Sequence, residues 1–158
     1  MNITDKWIRK HKPCSGGLDW LKQQNTTDAV RLLRLLIKEK RYNWANWTIV
    51  RLFSTEQKIL YAIFTAESVL PEFEKKYPKD SRPRNAIEAA KAYLKNPCKK
   101  TKAAAAYAAG AAGAASAAAY AADADVYATN AATNAADADD KKTQIKILNY
   151  GLKLLGAE

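Results

Sequence analysis

Apolar residues recur along this chain at steps of three and four, and no stretch sustains the alternation of a strand, so the pattern predicts helices nearly throughout. Thr4 is placed to cap a short helix ending by Lys10, ahead of Pro13 and a turn at Gly16 and Gly17. Thr27 is expected to start a second helix from Asp28 to about Lys40, with Val30, Leu33 and Ile37 on one side and Arg31, Arg34, Lys38 and Arg41 on another. Trp44 and Trp47 lead into a short helical stretch through Leu52. Ser54 with Gln57 three residues later is a capping-box pattern, and it opens the most strongly patterned helix, with a stripe of Ile59, Ile63, Ala66 and Leu70. Pro71 is expected to kink or restart that helix and Pro78 to end its continuation. Asp80 or Ser81 then caps a helix with Ala86, Ile87, Ala90 and Leu94 inward, closed by Asn96-Pro97. Near the C-terminal end, Ile145, Leu148, Leu152 and Leu155 form a last amphipathic stripe.

Between these patterned segments, 22 of the 36 residues from 103 to 138 are alanine. The larger or polar residues Ser116, Tyr120, Asp123, Tyr127, Asn130, Asn134 and Asp137 alternate steps of four and three, which keeps one stripe aligned along a helix. Alanine has the highest helix propensity and lets neighbouring backbones approach, so the tract is expected to be closely packed helix, with breaks near Gly110, Gly113 or Asp123 to Asp125. The expected fold is therefore all-α: one bundle over residues 1–158, with a basic part at 1–102 and an alanine-rich part with the last amphipathic helix at 103–158.

The net charge is +10, and its distribution matters more than its size. Residues 1–102 carry 22 Lys and Arg against 10 Asp and Glu, whereas residues 103–158 carry 4 against 6. A +12 field on the first two-thirds favours nucleic acid or an acidic protein partner. The N-terminus carries Asp5, Lys6, Arg9 and Lys10 in place of an apolar leader, and no run of 18 apolar residues occurs, so the expected location is cytoplasmic with no membrane partner. Two cysteines, Cys14 and Cys98, are too few for a disulfide framework.

Candidate chemistry is sparse. Glu67 follows Ile63 by four and precedes Leu70 by three, which puts it on or beside the buried face; Arg82 and Arg84 are its natural partners, and with Asp80 they would form an internal polar clamp. His11, Cys14 and Cys98 could supply three metal ligands, but the second close pair of a structural zinc site is missing. No metal is expected, with Cys14 read as a buried small residue and His11 as exposed. A single histidine, no base close to either thiol and no Gly-rich phosphate loop argue against catalysis and against a bound cofactor. Arg31, Arg34, Lys38 and Arg41, followed by Trp44, Trp47 and Arg51, combine cations with aromatics and form the expected partner-binding surface. A small-molecule pocket among the alanine helices, lined by Tyr107, Tyr120 and Tyr127, is a third class of reading.

Three segments together carry a family resemblance. They are Lys12-Pro13-Cys14 with Gly16-Gly17 and Trp20; the stretch from Leu60 to Pro97, above all Asp80-x-Arg82-Pro83-Arg84-x-Ala86-Ile87 with Ala89-Ala90; and the alanine tract. In these the chain resembles the immunity-5-like family, small proteins of bacteria also seen in phage genomes. The resemblance implies an intracellular, non-enzymatic antagonist that binds another protein, by family analogy a toxin, and blocks it. The +12 block departs from the acidic character that would oppose a basic nuclease toxin. A phage counter-defence inhibitor acting on a defence effector, or a nucleic-acid-binding protein using the basic block, is the alternative.

Overall fold

In the computed structural model, which describes residues 1–102 and 141–157, Thr4 Oγ1 accepts from the Trp7 backbone N–H at 3.2 Å and so starts helix α1, Asp5–His11. The chain reverses at Lys12, which takes a left-handed conformation with φ 46°, and not at the glycine pair. Gly16 and Gly17 instead lie in the first turn of α2, Ser15–Lys22, where burial of Trp20 outweighs their low helix propensity. Helix α3 spans Ala29–Lys38, and its cap is Asp28, whose Oδ1 accepts from Arg31 N at 2.8 Å; Thr27 is not the cap. The buried face of α3 is Ala29, Leu32, Leu33 and Leu36, so the core stripe is rotated from the expected Val30, Leu33 and Ile37. A left-handed Lys40 (φ 60°) ends that segment and Tyr42–Leu52 forms α4.

Both halves of the capping box are made at α5, Thr55–Lys76: Ser54 Oγ accepts from Gln57 N at 3.2 Å and Gln57 Oε1 accepts from Ser54 N at 2.8 Å. The helix runs through Pro71 without restarting, because the packing of Leu70 and its neighbours against the next helix outweighs one missing backbone hydrogen bond. Helix α6, Arg82–Lys95, has Pro83 in its first turn, where a missing N–H costs nothing, and the Asp80 carboxylate accepts from Arg82 N at 3.1 Å. Helix α7, Lys141–Leu154, buries Ile147, Leu148, Gly151 and Leu152, which keeps Leu148 and Leu152 of the expected stripe, while Ile145 and Leu155 are only half-buried.

All these elements are helices, so among the described residues the fold is an all-α bundle; β geometry is confined to an isolated bridge between Asn2 and Asp28. Helix α7 packs on α5, α4 and α3 in turn, and α6 packs on α5. Two cores result. The larger joins α3, α4 and α7 around Leu33, Ile49, Val50 and Tyr61, with Trp20 and Ile3. The smaller lies between α5 and α6 and consists of Ile59, Ile63, Ala66, Leu70, Ala86, Ile87 and Ala90. Inside the larger core the Tyr61 hydroxyl donates to Asn46 Oδ1 at 2.9 Å, so neither buried polar group is wasted, and burial pushes that phenol up. The alanine tract, its stripe from Ser116 to Asp137 and the Tyr107, Tyr120 and Tyr127 pocket lie outside the described residues.

Candidate functional site

The chain has four tryptophans, and all four line one half-open apolar cavity of about 350 Å3. Trp7 comes from α1, Trp20 from α2, and Trp44 and Trp47 from α4; Ile3, Leu32 and Leu36 add aliphatic wall, and Asn43, Asn46 and Thr48 add a few polar atoms. Amphipathic spacing explains the arrangement on α4: Trp44 and Trp47 are one turn apart, so both lean to the same side. Trp7 meets Trp47 edge-on with ring centroids 5.8 Å apart, the favourable geometry for two aromatic quadrupoles. Among the described residues the Trp7 indole Nε1 is the buried side-chain polar atom without a hydrogen-bond partner.

Two of the four indoles carry cations. Arg51 lies over the Trp47 ring at 3.8 Å and donates from Nη1 to the Trp47 carbonyl at 3.0 Å; Arg41 lies over Trp44 at 4.6 Å. Partial burial lowers the Arg51 pKa from its ordinary value. Glu39 ties the rim together, accepting from Trp20 Nε1 at 2.8 Å and from Arg41 Nε at 2.9 Å, and those two donors hold its carboxyl below the usual range. His11 packs against Trp7 with centroids 4.7 Å apart and is lowered first by desolvation, then by Lys10, Arg51 and Lys58. The region is thus an apolar hollow with a positively charged rim.

The expected partner-binding surface divides in two. Arg31, Arg34 and Lys38 remain together as exposed residues on α3. Arg41 leaves their stripe because α3 ends at Lys38, and it joins Trp44, Trp47 and Arg51 at the cavity rim. The internal clamp is corrected. Glu67 is exposed and pairs with Lys91 Nζ at 2.8 Å, while Arg82 pairs with Asp80 at 2.6 Å and Arg84 with Glu74 at 2.7 Å, so three separate surface pairs replace one buried cluster. The physical reason is helix rotation: Glu67 lies one residue past buried Ala66, and Lys91 one past buried Ala90, so both flank the α5–α6 seam. Cys14 and His11 are also reversed from expectation, with the thiol exposed and the imidazole half-buried. Cys98 is exposed, and its thiol pKa is lowered by hydrogen bonding to Thr101. Among the described residues no group of three His, Cys, Asp or Glu could hold a metal ion, and no helix is long and apolar enough to cross a membrane.

Sequence reasoning gave a binding role to Trp44 and Trp47, quoted Trp20 only for the family resemblance, and missed Trp7. The signal was available: every tryptophan of the chain falls between residues 7 and 47. A family model described as Imm-5 like putative immunity protein matches residues 50–158. No curated protein matches the chain, and no solved structure does.

Proposed function

The chain belongs to the Imm-5 like putative immunity protein family, and from that membership we propose a non-enzymatic, intracellular binding protein that neutralises a partner protein by covering it. The match over residues 50–158 carries this reading. Those residues supply α7, which packs on α3 and α4, and α5, which packs on α7. The partner surface is the exposed Arg31, Arg34 and Lys38 of α3, with the Arg41–Trp44 and Arg51–Trp47 pairs as anchors, since arginine and tryptophan dominate interface hot spots. The +12 balance of residues 1–102 selects an acidic partner face and raises the rate of encounter. A toxin or a defence effector with such a face fits equally.

Nucleic acid is the second reading, because cations and aromatic rings side by side also suit phosphates and stacked bases. The test is capture from the native host, followed by reconstitution of the binary complex from purified components. The double variant Arg31→Glu with Lys38→Glu is expected to weaken that complex at least about tenfold. If the chain recovers no protein and instead binds random duplex DNA with a salt slope of roughly −0.9 per phosphate neutralised, the nucleic-acid reading replaces this one.

A further inference from the structure

Arg51 is a half-buried guanidinium without a counter-ion. It lies over the Trp47 ring and donates one N–H to that residue's carbonyl, and among the described residues no carboxylate pairs with it. Lys10 and Lys58 lie close enough to act with it on His11, whose ring packs on Trp7, so its surroundings add positive charge. Arg41 is the contrast on the same rim, because Glu39 neutralises it at 2.9 Å. A charge drawn out of water is unfavourable unless it is paired. A guanidinium has five N–H donors in a fork that grips a carboxylate, and most of the Arg51 fork remains open to one brought from outside.

The indole beneath Arg51 is also a wall of the hollow of about 350 Å3. An apolar cavity of about 150 Å3 takes one benzene ring, so a phenyl side chain fits here with room for an aliphatic neighbour. A nucleobase suits the hollow less. It would bring several ring donors and acceptors into a space where the Trp20 N–H is taken by Glu39 and Asn46 Oδ1 by the Tyr61 hydroxyl. A hydrocarbon side chain brings none, and desolvated pockets bounded by tryptophan and arginine are where protein interfaces concentrate their energy. We propose that the hollow is the socket of the partner surface: it takes one aromatic side chain from an acidic segment of the partner protein, and a carboxylate of that segment lies on Arg51. The socket rests on the immunity-type reading and adds to it the chemistry of what is held.

The probes are blocked pentapeptides: Glu-Glu-Phe-Glu-Glu, Glu-Glu-Ala-Glu-Glu, which lacks the ring, and Gln-Gln-Phe-Gln-Gln, which lacks the charge. Each is titrated into the full chain at low salt, and the indole N–H signals are followed by nuclear magnetic resonance. The first is expected to bind saturably and one to one, and each of the others at least about tenfold more weakly. Arg51→Gln should bring the two phenylalanine peptides within about threefold of each other. Gly17→Phe fills the hollow from α2, where an added Cβ would meet Cys14 Sγ at 3.5 Å and Pro13 Cβ at 3.9 Å; it should abolish binding while circular dichroism stays helical. Exposed Cys14 lines the hollow and Cys98 does not, so the saturating acidic phenylalanine peptide should slow alkylation of Cys14 alone. Absence of saturable binding, or equal binding of the phenylalanine and alanine peptides, would overturn the proposal. So would random single-stranded DNA that moves the Trp44 and Trp47 signals in the wild type but not in Gly17→Phe, because the hollow would then hold nucleic acid. The broader reading fails separately. A captured protein that Arg31→Glu with Lys38→Glu releases and Gly17→Phe holds undiminished removes the socket alone, whereas one held through the socket but left fully active removes neutralisation alone.

Discussion

Around the α3–α4–α7 core three cations lie on rings, Arg41 over Trp44, Arg51 over Trp47 and Lys146 over Phe64, with Arg41 also paired to Glu39. Around the α5–α6 core they pair with carboxylates, Arg84 with Glu74 and Lys91 with Glu67 and Glu88. The difference follows from side-chain size. Ala66, Ala86 and Ala90 let α5 and α6 approach closely, Tyr93 packs against the cluster without a cation over its ring among the described residues, and the long charged side chains flanking the seam meet one another in water. Where Trp, Tyr and Phe fill the space between helices, their faces extend to the surface and the cations cover apolar area. In the aromatic region, stability and binding chemistry therefore draw on the same residues, whereas the α5–α6 perimeter is open to change.

Substitutions rank this contrast. Leu33→Ala, at a fully buried site of the larger core, is expected to cost about 2–5 kcal/mol, measured by urea unfolding. Gly151→Ala tests the closest approach in that core, where an added Cβ would lie 2.5 Å from Ile49 Cδ1 and 2.9 Å from Tyr61 Cε2. Alanine raises helix propensity, so a stabilised variant would refute the close packing; a loss of about 1–3 kcal/mol is expected. Tyr61→Phe removes a buried donor from Asn46 and should lower stability by about 1–3 kcal/mol in the same assay. Glu67→Gln, at the exposed edge of the α5–α6 seam, should change stability by less than about 1 kcal/mol, and a larger loss would erase the contrast between the two regions.

The smallest effect is a titration. Hydrogen bonds from Arg82 hold the Asp80 carboxyl at about 2, against its ordinary 3.8, so the folded chain takes up that proton at lower pH than the unfolded one. The pair's contribution is in place above about pH 4 and is lost as pH falls through about 2. Arg82→Ala should move the Asp80 titration, followed by carbon nuclear magnetic resonance, upward toward 3.8.

What could be read in the sequence was local. The Ser54–Gln57 capping box and the stop at Asn96-Pro97 are decided within a few residues, and both occur. The Gly16-Gly17 pair did not form the expected turn and Pro71 did not restart its helix for one reason: backbone preference is a small term, and burial of Trp20 and Leu70 outweighs it. Of the expected stripes Leu33 on α3 and Leu148 and Leu152 on α7 are buried, and the other buried positions were not foreseen because each helix touches more than one neighbour, which widens the buried face beyond a single row. The rim was half legible, since Trp44, Trp47 and Arg51 share one helix; Trp7 and Trp20 reach it only through tertiary folding. Glu67 was misassigned because a position flanking a stripe resembles one within it until the facing helix is known.

Helix α7 has a consequence for synthesis. It covers Gly151 against Ile49 and Tyr61, and the Leu154 carbonyl accepts from Gln57 Nε2 at 2.6 Å, 97 residues away in the chain. The ribosome makes α3, α4 and α5 well before α7, and 38 residues separate Lys102 from Lys141. At about 5–20 residues per second, that stretch takes roughly 2–8 s to emerge, during which the groove awaiting α7 is uncovered. The nascent chain must therefore pass through a window in which its best-packed surface is its stickiest, and the rate of elongation over the alanine codons sets how long that window stays open.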